Sequence, residues 1–136
     1  MTTLRLPAAH RNAIFEHAKV ERPRECCGII GGKEGQTTTF HRLTNQAEGN
    51  RLYLMDDVEL FTVLKELDQR GEDPMVIYHS HPASPAYPSK TDVEMAFYPE
   101  SYYVICSLEN PNEPYLRAFT IIDEQIEEAA LEITNP

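Results

Sequence analysis

The stretch Met75-Val76-Ile77-Tyr78-His79-Ser80-His81-Pro82 constrains this chain more than any other. Its first half is rich in β-branched and aromatic side chains, so the pattern predicts a strand. Side chains alternate across a strand, which places His79 and His81 on one face, where two imidazoles can reach one ion. Asp92 follows eleven residues after His81, at the start of a helical pattern. Two histidines and a carboxylate fill three positions of a tetrahedral zinc site and leave the fourth for water, as a catalytic zinc site requires. Ser89-x-x-Asp92 also reads as a helix capping box, with Ser89 at the N-cap and Asp92 at the third helical position. The two readings are compatible, because a cap fixes the turn from which Asp92 projects.

A metal-bound water still needs a group that moves its proton to the leaving nitrogen. Glu25 is the candidate. It stands directly before Cys26-Cys27-Gly28-Ile29-Ile30-Gly31-Gly32, an apolar run that predicts a buried strand. A carboxyl desolvated at the mouth of such a strand has a raised pKa, which suits proton shuttling. The competing reading is an exposed loop glutamate, since Glu25 is one of 22 acidic residues.

Glu25 before a short apolar strand, followed by His79-x-His81-Pro82-x6-Ser89-x2-Asp92, resembles the signature of the JAMM (MPN+) metallopeptidases. The resemblance extends over nearly the whole chain and is nearest to the small prokaryotic members. The stretches Val76-Ile77-Tyr78-His79-Ser80-His81 and Ala86-Tyr87-Pro88-Ser89 are similar to a subgroup that removes a cysteine from the C-terminus of a sulfur-carrier protein in cysteine biosynthesis. The resemblance implies one zinc ion per chain held by His79, His81 and Asp92. It implies Glu25 as general base and then general acid, and Ser89 as hydrogen-bond donor to the oxyanion. A hydroxyl both donates and accepts, so Ser89 can cap the helix and serve the oxyanion together. The implied partner is a ubiquitin-like or sulfur-carrier protein with a C-terminal Gly-Gly tail. The implied fold is an α/β (α+β) sandwich, a mixed β-sheet flanked by helices and similar to the cytidine deaminase fold.

Rival functions make different demands on the sequence. A zinc deaminase needs a P-C-x-x-C ligand pair, and no C-x-x-C occurs here. Non-catalytic scaffolds related to JAMM enzymes typically lack one or more ligands, and this chain carries the full set. An isopeptidase that frees lysines from ubiquitin-like modifiers keeps the same chemistry and changes the substrate. Nucleic acid is disfavoured, because phosphate binding needs a positive footprint and the net charge is −10. Acidic pairs such as Asp123-Glu124 and Glu127-Glu128 read as a solvated face.

The length, 136 residues, fits one domain spanning 1–136 with a sizeable core. A first helix is expected from Pro7 to about Arg22, using Ala9, Ala13, Ile14 and Ala18, with His10 and His17 at its surface. Cys27 to Gly31 and Thr37 to Leu43 form a hairpin around a glycine-rich turn, with His41 in its second strand. A helix opens at Asp56, capped with Glu59, carries Leu60, Val63, Leu64 and Leu67 on one face and stops at Gly71. After the histidine strand come a helix from Ser89 to about Phe97 and strands at Tyr102–Leu108, Tyr115–Asp123 and near Ile126–Ile133. Tyr53 and Tyr87 read as packing or groove residues.

No apolar run approaches the roughly 18 residues of a membrane span, and Met1-Thr2-Thr3-Leu4-Arg5 is not an apolar leader. A cytoplasmic protein is expected. Three cysteines agree with that, because Cys26 and Cys27 are adjacent and an odd number makes no disulfide framework. Burial as small apolar residues is expected in preference to a bridge from Cys26 or Cys27 to Cys106. Reductant should therefore leave the melting temperature within a few degrees, measured by thermal unfolding with and without dithiothreitol. A large fall on reduction would reveal a bridge.

Overall fold

In the computed structural model, which describes residues 2–135, the chain runs β1 (Thr3–Pro7), α1 (Ala8–Glu21), β2 (Cys27–Lys33), β3 (Gln36–Leu43), α2 (Asp57–Gln69), β4 (Asp73–His81), α3 (Lys90–Glu94), β5 (Tyr102–Ser107), β6 (Tyr115–Ile122) and β7 (Gln125–Thr134). Met1 and Pro136, the end residues of the expected domain, lie outside the described residues. The strands form one seven-stranded sheet in the order β1-β7-β6-β5-β4-β2-β3. The β1–β7 and β4–β5 pairs are parallel and the others antiparallel. The expected mixed sheet between helices is therefore found.

Strand periodicity divides the core. Ile30, Val76, Tyr78, Val104 and Cys106 point to the side covered by α1, where they pack with Leu4, Leu6, Ile14 and Ala18. Cys27 and Ile29 point the other way, against Val63 and Leu67 of α2 and against Leu43. Ile77 and Tyr103 share that second side with Val93 and Ala96, in and just after α3. His79 and His81 continue the Ile77 face of β4. Period two thus carries them to the α2 and α3 side, while Ser80 faces back.

Tight cross-strand contacts hold β2 and β4 in register. Gly28 pairs with Tyr78. A Cβ at position 28 would lie 2.3 Å from the Tyr78 ring, so only glycine lets the buried phenol cross β2. At α2, Asp56 accepts a hydrogen bond from the Glu59 amide at 2.9 Å, as the cap predicts. The reciprocal half is replaced, because the Glu59 carboxylate accepts from the Thr44 amide and hydroxyl, both at 2.7 Å.

Several expectations are corrected. β1 precedes the first helix, which begins at Ala8, with Leu4 and Leu6 buried and Leu4 paired with Leu131. The third helix ends at Glu94, short of Phe97: Met95 is its C-cap, with its amide bonded to the Thr91 carbonyl, and the Ala96 amide closes a tighter turn on the Val93 carbonyl. Asp123, expected as the last residue of a strand, instead forms the β6–β7 turn with Glu124; both residues are exposed, as a solvated face predicts, and their φ values are 50° and 63°. That is the positive-φ pair a tight hairpin requires. The three cysteines are free and buried, and burial pushes each thiol up to about 12.

His17 is not a surface residue. It lies on the inner stripe of α1 with Ile14 and Ala18, and its Nδ1 is 2.8 Å from the Tyr78 hydroxyl. Burial, with help from the Arg42 charge, lowers its pKa from 6.5 to about 4. Above pH 6.5 the ring is neutral in folded and unfolded chains, and no pH dependence arises from it. Between 6.5 and about 4 the unfolded chain takes up a proton that the folded chain refuses, so stability falls through that window. His17→Gln should lose less stability between pH 7 and pH 5 than the wild type, read from urea midpoints. Parallel losses would show that His17 titrates normally.

Candidate functional site

Four buried side chains meet where β2 begins and β4 ends: Glu25, His79, His81 and Asp92. Each has a ligand atom, and these atoms all lie within 4.8 Å of one another. Pairing of Cys27 with His79 brings the mouth of β2 beside the end of β4. Beyond that pair, the Ser80 amide donates to the Cys26 carbonyl at 3.1 Å, and Ser80 Oγ accepts from the Cys26 amide at 2.8 Å. Asp92 arrives from the first turn of α3.

The inner triangle has the dimensions of a metal site. His79 Nε2 and His81 Nε2 are 3.2 Å apart, and each is 3.1 Å from Asp92 Oδ2. Ligands of a tetrahedral zinc ion at its usual bond lengths are separated by about 3.3 Å. His81 Nδ1 donates to the Pro85 carbonyl at 2.8 Å, an oxygen that can only accept. In the neutral ring this leaves the Nε2 lone pair directed at the triangle, the tautomer a metal ligand needs. His79 Nδ1 and Glu25 Oε1 are buried without a partner among the described residues. The donor set of two imidazoles and a carboxylate, with a further unpaired carboxylate beside it, fits zinc.

The electrostatics separate the two acids. Burial pushes the Glu25 carboxyl up to about 8; His81 opposes this and Asp92 reinforces it. Burial also acts to raise Asp92, but the His79 charge and hydrogen bonds from His79, His81 and the Ser89 amide outweigh it. Its carboxyl is held well below the ordinary carboxylate range. Burial lowers His79. Burial acts to lower His81 as well, but hydrogen bonds to Asp92 and Pro85 together with the Asp92 and Glu25 charges raise it. One carboxylate is thus fixed as an anion while the other can hold a proton at neutral pH.

The capping box expected at Ser89-x-x-Asp92 is formed. Ser89 Oγ accepts from the Asp92 amide at 3.0 Å, and Asp92 Oδ2 accepts from the Ser89 amide at 2.9 Å. The oxygen that completes the capping box is the one facing both imidazoles. Ser89 is exposed and its hydroxyl proton is uncommitted by the cap. Tyr53 packs as expected, its ring 4.5 Å from that of His79 at 27°. It also lines a cavity of about 190 Å³ with Leu54, Met55, Leu60, Ile77 and Tyr103. His10 and His41 stand outside the group, bonded to Thr37 and Thr39. The support shell of Pro85, Ser80 and Asn45 is not marked in the sequence, where these residues read as ordinary loop or strand positions.

Residues 7–122 match the family of prokaryotic homologs of the JAB domain, Prok-JAB. The chain belongs to this family, and its architecture is the JAB/MPN fold. It is 36% identical over 126 residues to the CysO-cysteine peptidase of Mycobacterium tuberculosis, covering 91% of this chain and 86% of that protein. It is 37% identical over 111 residues to the desampylase of Haloferax volcanii, covering 76% and 80%. The solution structure of protein DSY2949 from Desulfitobacterium hafniense has a TM-score of 0.85 and 30% identity, covering 100% of this chain and 94% of that one.

Proposed function

We propose that this chain, acting as one domain, is a zinc metallopeptidase. It hydrolyses the amide bond after the C-terminal glycine of a ubiquitin-like or sulfur-carrier protein. The observation that carries this reading is the convergence of His79, His81 and Asp92 on a ligand-sized triangle with Glu25 buried beside it. In this reading His79, His81 and Asp92 hold one zinc ion. Bound there, zinc supplies Lewis acidity, polarising the scissile carbonyl and acidifying water at neutral pH.

Glu25 takes the proton of the attacking water and delivers it to the leaving nitrogen. Its pKa of about 8 suits both the uptake and the release of a proton near neutrality. The Ser89 hydroxyl, whose oxygen already accepts from the Asp92 amide, donates its hydrogen to the oxyanion developing on the carbonyl. The exposed position of Ser89 gives a substrate access to it. An extended tail of the partner approaches as an added strand, with glycines where side chains would obstruct approach to the metal.

Release of a single cysteine from a carrier–cysteine adduct is the favoured reaction, supported by similarity to the CysO-cysteine peptidase. The second reading, removal of ubiquitin-like modifiers from lysine, is supported by similarity to desampylase. The cytoplasm is the compartment of this reading, supported by three free cysteines. Separately, no helix among the described residues is long and apolar enough to cross a membrane.

The protein should carry about one zinc per chain by elemental analysis, and His79→Ala with His81→Ala should remove most of it. Full occupancy in the double variant would overturn the ligand assignment. Glu25→Gln should keep metal and fold and lose roughly 10²–10⁴-fold in turnover. Wild-type turnover would exclude Glu25 as the proton carrier. Mass spectrometry on a carrier ending in Gly-Gly-Cys, and on the same carrier joined to a lysine side chain, separates the two substrate readings. Faster loss of the cysteine is expected, and faster isopeptide cleavage would select the second reading.

A further inference from the structure

Asn45 lies between β3 and α2 in Thr44-Asn45-Gln46-Ala47, a stretch whose composition is that of a surface loop. Its side chain is nevertheless buried, with the residue 5% exposed. A primary amide offers two donor hydrogens and two acceptor lone pairs, and Asn45 uses all of them. Nδ2 donates to the Glu25 carbonyl at 2.9 Å and to the Leu52 carbonyl at 3.2 Å. Oδ1 accepts from the Ala47 and Leu54 amides, both at 2.9 Å. Two carbonyls on one side and two amides on the other also fix which end of the group is oxygen.

These four partners are not scattered. One is the main chain of Glu25. Two, Leu52 and Leu54, are the neighbours of Tyr53, whose ring lies 4.5 Å from that of His79. One side chain therefore grips both the residue beside the metal-ligand group and the segment that covers it. Further bonds brace the same unit: Arg24 donates to the Asn45 carbonyl at 2.8 Å and to the Ala47 carbonyl, and the Gln46 amide donates to the Leu54 carbonyl at 2.7 Å. Glu25 Oε1 has no partner among the described residues, so the aim of the carboxylate depends on how its backbone is held. Both ends of the Glu25–Cys26 peptide are held: Ser80 Oγ accepts from its N–H, and Asn45 Nδ2 donates to its carbonyl.

We propose that Asn45 is a positioning residue that fixes the Glu25 backbone and the Tyr53 ring relative to each other across the His79–His81–Asp92 triangle. The proposal rests on the reading of Glu25 as proton carrier. Asn45 touches neither substrate nor ligand atoms. It sets the geometry from which Glu25 acts, where small displacements cost much of the rate.

The test uses the zinc-loaded full chain as Asn45→Ala and Asn45→Asp. Ile14→Ala, on the α1 side of the sheet, serves as a destabilised control. Asn45→Asp keeps an oxygen for the Ala47 and Leu54 amides and loses the donors to Glu25 and Leu52. With a carrier ending in Gly-Gly-Cys as probe, both Asn45 variants should lose about 10–100-fold in kcat, the range for groups that support a metal site. KM should change far less, and Ile14→Ala should keep its kcat at temperatures where it is folded. Amide hydrogen exchange should accelerate at 24–27 and 46–55 in Asn45→Ala, whereas in Asn45→Asp it should accelerate at 24–27 while the Ala47 and Leu54 amides stay protected. If the alanine variant does not fold, the aspartate variant carries the test. Wild-type kcat in a folded Asn45 variant, or an equal kcat loss in Ile14→Ala, would overturn the proposal. The exchange readout needs no turnover: unchanged exchange at 24–27 overturns the clamp whether or not Glu25 is the proton carrier. Loss of the clamp together with a fully active Glu25→Gln would instead discard the catalytic reading.

Discussion

The antiparallel pairing of β2 with β4 is the interaction on which the rest depends. It sets Cys27 opposite His79 and Gly28 opposite Tyr78, and it extends one step further through the two Ser80–Cys26 bonds. A register slip of one residue would turn both histidines to the α1 side and bring Ser80 to the face that Glu25 and Asp92 share. Two features oppose such a slip. The Tyr78 ring fits only over a residue without Cβ, and its hydroxyl is engaged by His17. The core on one face of β4 thus fixes the chemistry on the other.

Where function is concentrated in short-range patterns, the sequence was informative. The strand ending in two alternate histidines, the Ser89-x-x-Asp92 turn and the apolar stripe of α2 all depend on neighbours within a few residues, and the structure reproduces them. Features set by distant partners were not legible. β1 is five residues long and owes its existence to β7 at the other end of the chain. His17 is polar, which predicts a place outside, but a hydroxyl 61 residues away satisfies it inside. Asn45 looks like turn material, because nothing local reveals that four main-chain groups converge on it. The Asp123-Glu124 turn lacks the Asn-Gly or Asp-Gly signature that marks such hairpins.

The charge pattern of the site runs against that of the molecule. The chain carries −10 overall, yet at its centre two imidazoles are held against one fixed carboxylate, and the second acid can hold a proton. Burial separates the roles of chemically similar groups. Asp92 faces the Ser89 amide and two imidazole nitrogens and remains an anion, whereas Glu25 Oε1 has no protein donor among the described residues.

Asp92 Oδ2 serves the Ser89 amide and both imidazoles with one atom. α3 has only five residues, too few for a helix to persist through its own hydrogen bonds. Its existence and the shape of the triangle are therefore two expressions of one equilibrium. By thermodynamic linkage, any cation that prefers the assembled triangle also favours the wound state of residues 90–94, and a sequence change that lowers the wound fraction weakens that cation in proportion to the fraction lost. Ion occupancy and local folding are reciprocal variables here, joined through a single oxygen.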